Sequence, residues 1–168
     1  ELVDVPLIRY TASKGKPMVI SCGMGSAEEI AEAVDACRST GNDQIVLLKC
    51  TSEYPAVYED MNIATMVDMR ERFGCHVGLS DHSMGWAVDV AAAALGAGVI
   101  EKHYCLTRED KTVDFEFSME PEEFASMVRD VRIARAAIGS VTYERSEKEE
   151  RGLAGRRSLY AVKPIAKG

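Results

Sequence analysis

The 168-residue chain lacks the features that mark several broad classes of protein. No apolar run approaches the roughly 20 residues of a membrane span, and no signal peptide is visible. Clustered basic residues are missing too: 20 Lys and Arg against 27 Asp and Glu give a net charge of −7, which argues against a nucleic-acid surface. Five scattered cysteines, an odd number, do not form a disulfide framework and suit reduced thiols. We therefore expect a cytoplasmic protein without a nucleic-acid or membrane partner.

What the chain does contain is a regular alternation of strand and helix signals. Four short apolar runs are predicted as strands, at residues 17–22, 44–50, 76–80 and 99–103. Continuous apolar strands separated by helices are typical of a parallel sheet covered by helices. The fold class is therefore α/β, with successive strands about one βα repeat apart.

The helix signals complete this pattern. Ser26 and Glu29 have the spacing of a capping box, and the helix that they begin is predicted to stop at residues 40–42. Further helices are predicted at residues 5–13, 62–73, 85–95 and 121–139. The charged tail at residues 143–157 is predicted to be a linker, and residues 158–162 a strand of another domain.

Polar residues follow each strand, where parallel βα proteins carry their functional groups. Because side chains alternate along a strand, Ser80 and His82 share a face, as do Glu101 and His103. Imidazoles at the ends of adjacent strands can converge on one metal ion, although hydrogen-bonded structural histidines are an equally good interpretation. Residues 49 and 102, both lysines, have the opposite alternation and are expected to form salt bridges toward the helices.

These strand ends resemble the sialic acid synthase family, which includes N-acetylneuraminate, pseudaminate and legionaminate synthases and spore-coat polysaccharide homologues. The resemblance rests on residues 20–24, 48–55, 78–83 and 99–104, in that order, and on residues 156–159. It implies that residues 1–142 are the last four βα units of a (β/α)8 TIM barrel. It also implies that residues 143–168 are a linker and the beginning of an SAF (antifreeze-like) domain.

The family condenses phosphoenolpyruvate with an N-acylated sugar, giving a nine-carbon 2-keto acid and phosphate. The resemblance implies a divalent cation, typically Mn²⁺ but alternatively Mg²⁺ or Co²⁺, held by His82 and His103. Glu101 matches an active-site carboxylate beside the second histidine. These three residues are the catalytic candidates.

The remaining candidates are substrate contacts. Ser21 and Ser80 match positions that bind the phosphate or carboxylate of phosphoenolpyruvate. Tyr54 and Ser52 match sugar- and phosphate-contacting positions, although some members have Asn in place of Ser52. Asp114 matches an acidic residue for sugar hydroxyls, in a loop that departs from the commoner Gly-Pro-Asp pattern.

The resemblance also places part of the active site outside this chain. Four strands with a catalytic Glu and phosphate-binding lysines would precede Glu1, and an Arg from the SAF domain of a partner subunit would lie beyond Gly168. We therefore expect a homodimer of a longer protein, and a chain that is inactive alone. The second strand-end motif favours a pseudaminate-type synthase. The alternatives are another phosphoenolpyruvate-dependent keto-acid synthase or aldolase barrel, or a non-catalytic half barrel that self-associates.

Overall fold

The structure, a computed structural model, describes residues 1–168 and divides into two compact units, Glu1–Ile138 and Gly139–Gly168. No helix in it is long and apolar enough to cross a membrane. The first unit alternates helices and strands. In chain order these are α1 (Val5–Ala12), β1 (Met18–Ser21), α2 (Ala27–Arg38), β2 (Ile45–Cys50), α3 (Thr65–Phe73), β3 (His76–Asp81), α4 (Ala87–Ala94), β4 (Val99–Lys102) and α5 (Pro121–Ile138).

The four strands form one parallel sheet in the order β1-β2-β3-β4. One face of the sheet carries Ile20, Leu47, Val77 and Leu79, which are buried in the hydrophobic core with residues of the covering helices. On the opposite face Val19 is 53% exposed. This is the arrangement of half a TIM barrel. In that fold helices cover the outer face of the sheet, and the active site lies at the carboxyl ends of the strands.

The elements predicted for the first unit are found, with corrections at their boundaries. The capping box is present: Ser26 Oγ accepts from Glu29 N at 3.2 Å, and Glu29 Oε2 accepts from Ser26 N at 2.8 Å. The helix predicted from residue 62 begins at Thr65, because Asn62 has a left-handed φ of 43°. The helix predicted from Gly85 begins at Ala87 for the same reason, since Gly85 has a φ of 66°.

The second unit differs from its prediction. The segment predicted to be a linker contains a six-residue helix, α6 (Glu147–Gly152), which has a capping box of its own between Ser146 and Glu149. Every residue of this unit is exposed. The strand predicted at residues 158–162 is wrong, because these residues have no strand partner to complete a ladder. That this unit begins an SAF domain stays a prediction.

Candidate active site

The two candidate metal-binding histidines lie side by side at the carboxyl ends of β3 and β4. Ser80 pairs in register with Glu101, so the residues two positions further along, His82 and His103, meet on the same face. Their ring centroids are 5.2 Å apart at an interplanar angle of 78°. The alternation of side chains along the strands therefore predicted this juxtaposition correctly.

His82 is buried and held in one orientation. Its Nδ1 lies 2.9 Å from the carbonyl oxygen of Thr51, at the end of β2. Because a carbonyl only accepts, Nδ1 carries the hydrogen and Nε2 of the neutral ring keeps a free lone pair. The Tyr54 ring stacks on this imidazole at a centroid distance of 4.2 Å. This arrangement orients His82 as metal-ligating histidines are commonly oriented.

His103 is surrounded by the loop that follows β4. Its Nδ1 lies 3.7 Å from Oδ2 of Asp114, and the buried Phe117 ring packs 4.9 Å from the imidazole, centroid to centroid. Burial, followed by the neighbouring His82, lowers the pKa of His103. The neutral ring that this favours is the form that binds metals. Asp114 has a left-handed φ of 62°, and its carbonyl oxygen accepts from Ser118 Oγ at 2.7 Å.

The third catalytic candidate, Glu101, is paired with a predicted substrate contact. Ser80 Oγ donates to Oε1 of Glu101 at 2.7 Å. Ser80 itself is buried, whereas Glu101 is exposed on the inner face of the sheet. The single hydroxyl hydrogen of Ser80 therefore orients the carboxylate and is not free for an anion in this arrangement.

A cavity of about 620 Å³ opens on the inner face of the sheet. Seven of the eight predicted site residues line it: Ser21, Ser52, Tyr54, Ser80, His82, Glu101 and His103. Asp114 does not line the cavity, although it lies beside His103. Gly23 also borders it so closely that an added Cβ would overlap Ser52 Oγ and lie 3.0 Å from Cys50 Sγ. The cavity thus has a hydroxyl-rich side near β1 and β2 and an imidazole side near β3 and β4.

Two residues that contact the histidines were not predicted. Thr51 orients His82 through its backbone carbonyl, which no side-chain pattern reveals. Phe117 completes an aromatic cluster, with its ring 5.8 Å from that of Tyr54. The sequence does not single it out, because Val113 and Phe115 are also apolar residues of the same charged loop.

Lys49 and Lys102, which were both predicted to form salt bridges toward the helices, make different contacts. Lys102 forms the expected salt bridge toward the helices, with its Nζ 2.6 Å from Oδ2 of Asp81. For Lys49 the expectation is wrong, because its Nζ donates to the carbonyl of Cys50 at 2.9 Å and to Thr51 Oγ1 at 3.2 Å, with no carboxylate partner. Burial lowers the pKa of Lys49.

The divalent cation that the resemblance implies sets a limit on the separation of the two histidine rings. A ring centroid lies about 3.3 Å from an ion bound through its nitrogen, so two rings on one ion have centroids within about 6.6 Å of each other. The observed 5.2 Å meets this condition. The lowered pKa of His103 favours its neutral ring, and the bond from Nδ1 to the Thr51 carbonyl leaves Nε2 of His82 as the nitrogen that can face an ion. No set of three or more His, Cys, Asp or Glu side chains is arranged to hold an ion. The residues present therefore fit an open site with two protein nitrogens, in which water and substrate supply the other ligands.

Comparison with known proteins shows which family the chain resembles. The NeuB family profile matches residues 1–143. Over its whole length the chain is 41% identical to a pseudaminic acid synthase from Campylobacter jejuni, and the match covers 49% of that protein. It is likewise 37% identical to an N,N'-diacetyllegionaminic acid synthase from Legionella pneumophila, and this match also covers 49% of the relative. The solved structure of the N-acetylneuraminic acid synthetase from Leptospira borgpetersenii is also similar, with a TM-score of 0.83 and 32% identity. The superposition covers 94% of this chain and 55% of the Leptospira chain.

The chain spans about half the length of the curated relatives that it matches. The predicted fold, four βα units of a TIM barrel, is confirmed by the parallel half barrel and by its superposition on the Leptospira structure. The family resemblance inferred from the four strand ends is confirmed over residues 1–143. The chain belongs to the NeuB family of sialic-acid-type synthases.

Proposed function

We propose that this chain is the C-terminal half of the barrel of a synthase that condenses phosphoenolpyruvate with an N-acylated sugar. The product is a nine-carbon 2-keto acid, and phosphate is released. The observation that carries the proposal is the pair His82 and His103, 5.2 Å apart on the wall of the cavity. We refer to the longer protein, with the first four strands and the SAF domain, as the complete synthase.

In this proposal His82 and His103 hold a divalent cation, Mn²⁺ or alternatively Mg²⁺ or Co²⁺. Such an ion supplies Lewis-acid polarisation of the sugar carbonyl. The Thr51 carbonyl keeps the Nε2 lone pair of His82 available. The rings of Phe117 and Tyr54 pack against the imidazoles and restrict their orientation.

The other cavity residues have roles that follow from their chemistry. Ser21 and Ser52 present hydroxyl donors that suit the phosphate or carboxylate of phosphoenolpyruvate. Glu101, oriented by Ser80, is a carboxylate that can accept a proton beside the reacting carbonyl. Tyr54 stacks on His82 and Asp114 lies beside His103, so the Tyr54 hydroxyl and the Asp114 carboxylate can bind sugar hydroxyls next to the ion.

The acceptor that we favour is the 2,4-diacetamido-trideoxyhexose of a pseudaminate-type synthase. The similarity to the Campylobacter pseudaminic acid synthase supports this choice, since it is slightly higher than that to the Legionella legionaminic acid synthase. We further propose that the complete synthase is a cytoplasmic homodimer, in which residues 143–168 lead into the SAF domain.

The complete synthase, supplied with phosphoenolpyruvate and Mn²⁺, is expected to release phosphate with N-acylated sugars and not with sugar phosphates that lack an N-acyl group. His82→Asn and His103→Asn should each lower kcat/KM by at least a hundredfold. The matched control is His76→Asn, at the exposed amino end of β3, which should keep full activity. The chain of residues 1–168 alone is expected to show no turnover.

Other outcomes would decide against the proposal. Turnover only with sugar phosphates that lack an N-acyl group would assign the protein to the related 3-deoxy-keto-acid synthases. Unchanged activity in both His82→Asn and His103→Asn would show that the cavity wall is not the metal site. A stable, self-associated and fully inactive complete protein would favour a structural role.

A further inference from the structure

We propose that the buried ion pair of Lys102 with Asp81 is a positioning device that aligns His82 with His103. This inference rests on the proposed function, because it gives those imidazoles their importance. It assigns a role to two charged residues that lie on the helix-covered face of the sheet and do not line the cavity.

The ion pair is fully enclosed and closely bonded. The Lys102 and Asp81 side chains are 1% and 0% exposed. The Lys102 ammonium donates to Oδ2 of Asp81 at 2.6 Å and to the carbonyl oxygen of Ser83 at 2.7 Å. Oδ1 of Asp81 in turn accepts from Ser83 N at 2.7 Å. One ammonium group therefore holds the residues on both sides of His82.

The network of Lys102, Asp81 and Ser83 lies where β3 and β4 end, so it can control the separation of their ends. Asp81 and Lys102 form the last register pair of β3 with β4, and each is followed directly by a candidate ligand. Beyond that pair no backbone ladder joins the strands. Because side chains alternate, the ion pair bonds on the helix side while the two imidazoles project into the cavity. The ion pair therefore fixes the separation of the two strand ends at the point where the ladder stops.

Packing alone does not require charged groups here. Removing two ions from water is costly, and an apolar pair of similar volume often serves stability as well or better. An apolar pair cannot, however, hold the Ser83 carbonyl and the Asp81 carboxylate on either side of His82. A further buried carboxyl group, that of Asp89 in α4, lies 3.7 Å from the same ammonium. The hydrogen bonds of Lys102 and Asp81 thus reach the backbone of Ser83, in the turn that carries His82.

The test uses the complete synthase with Lys102→Met, which keeps length and removes the ammonium, and Asp81→Asn, which keeps shape and removes the charge. The control is Met69→Ala, a destabilising core truncation in α3, a helix that supplies no residue to the hydrogen-bond network. Histidine rings labelled with ¹³C report side-chain order in the metal-free protein, and titration with Mn²⁺ reports affinity. His76 serves as the internal reference.

We expect the His82 and His103 ring resonances to shift or broaden in Lys102→Met and, to a smaller extent, in Asp81→Asn, while that of His76 stays unchanged. Mn²⁺ affinity should fall by about 10–100-fold, as it does when groups that orient metal ligands are removed. Met69→Ala should change neither quantity. If Lys102→Met does not fold, Asp81→Asn decides.

Unchanged ring resonances in a folded Lys102→Met or Asp81→Asn protein would overturn the positioning role, as would equal changes in Met69→Ala. Failure of the proposed function gives a different result. In that case the unsubstituted complete synthase binds no Mn²⁺, while the ring resonances still report whether the ion pair orders the two histidines.

Discussion

Asp89 makes stability depend on pH in a way that one substitution can isolate. The residue lies in α4, is fully buried, and neither carboxylate oxygen has a hydrogen-bond partner. Burial, and then the negative charge of Asp81, raise the pKa of Asp89 from 3.8 to about 7. Below that pH the protonated side chain leaves Lys102 and Asp81 as a neutral pair. We therefore expect Asp89→Asn, which is neutral at every pH, to remove the dependence.

Proton linkage sets the sign and size of the contribution of Asp89 to the free energy of unfolding. Between pH 3.8 and about 7 the folded protein retains a proton that the unfolded chain releases, so this contribution is fully present below pH 3.8 and is lost as pH rises through 7. A shift of about three pH units at about 1.36 kcal/mol each amounts to about 4 kcal/mol. Of this, about 3 kcal/mol is lost between pH 4.5 and 8.

Urea unfolding of the complete synthase at pH 4.5, 6, 7 and 8 measures the effect, with far-UV circular dichroism beside the fluorescence of Trp86, which precedes α4. The stability of Asp89→Asn relative to the unsubstituted protein should rise by about 3 kcal/mol over this range. The control is Asp68→Asn, in an exposed pair with Arg72, which should leave the pH dependence unchanged. Parallel curves for Asp89→Asn and the unsubstituted protein would refute the reasoning.

Two further predictions concern the cavity and its aromatic wall. Gly23→Ala should raise the KM for phosphoenolpyruvate at least tenfold in steady-state kinetics, because the added methyl overlaps Ser52 Oγ; the exposed Gly152→Ala is the control, and an unchanged KM would contradict the placement of Ser52. Phe117→Ala should lower the free energy of unfolding by about 3 kcal/mol, measured in urea, because it empties a buried ring site against His103. A loss below about 1 kcal/mol would show that the loop collapses around the gap.

Much of the fold could be read from the sequence because its signals are local. The Ser26 capping box needs only residues three apart. Gly74 ends α3 with a left-handed φ of 62°, which glycine adopts without strain. Pro121 begins α5 because a first-turn residue needs no N–H bond. Two helix starts were predicted too early, at residues 62 and 85. Asn62 and Gly85 instead have left-handed φ values in the turns before α3 and α4.

The sequence by itself determined which residues share a face. Strand alternation brought His82 and His103 together with Ser80 and Glu101, since a period of two is a property of any extended chain. It also directed Lys102 toward the helices. These inferences require only the strand assignment and its register.

Only the tertiary structure decided which partners the outward side chains meet. Lys49 and Lys102 look alike in sequence, yet Lys102 finds Asp81 and Asp89 while Lys49 finds only a carbonyl and a hydroxyl. The pairing of His82 with the Thr51 carbonyl likewise depends on how the loop after β2 returns to β3. Contacts between segments distant in the chain arise from packing and loop geometry, and local residue patterns carry no record of either.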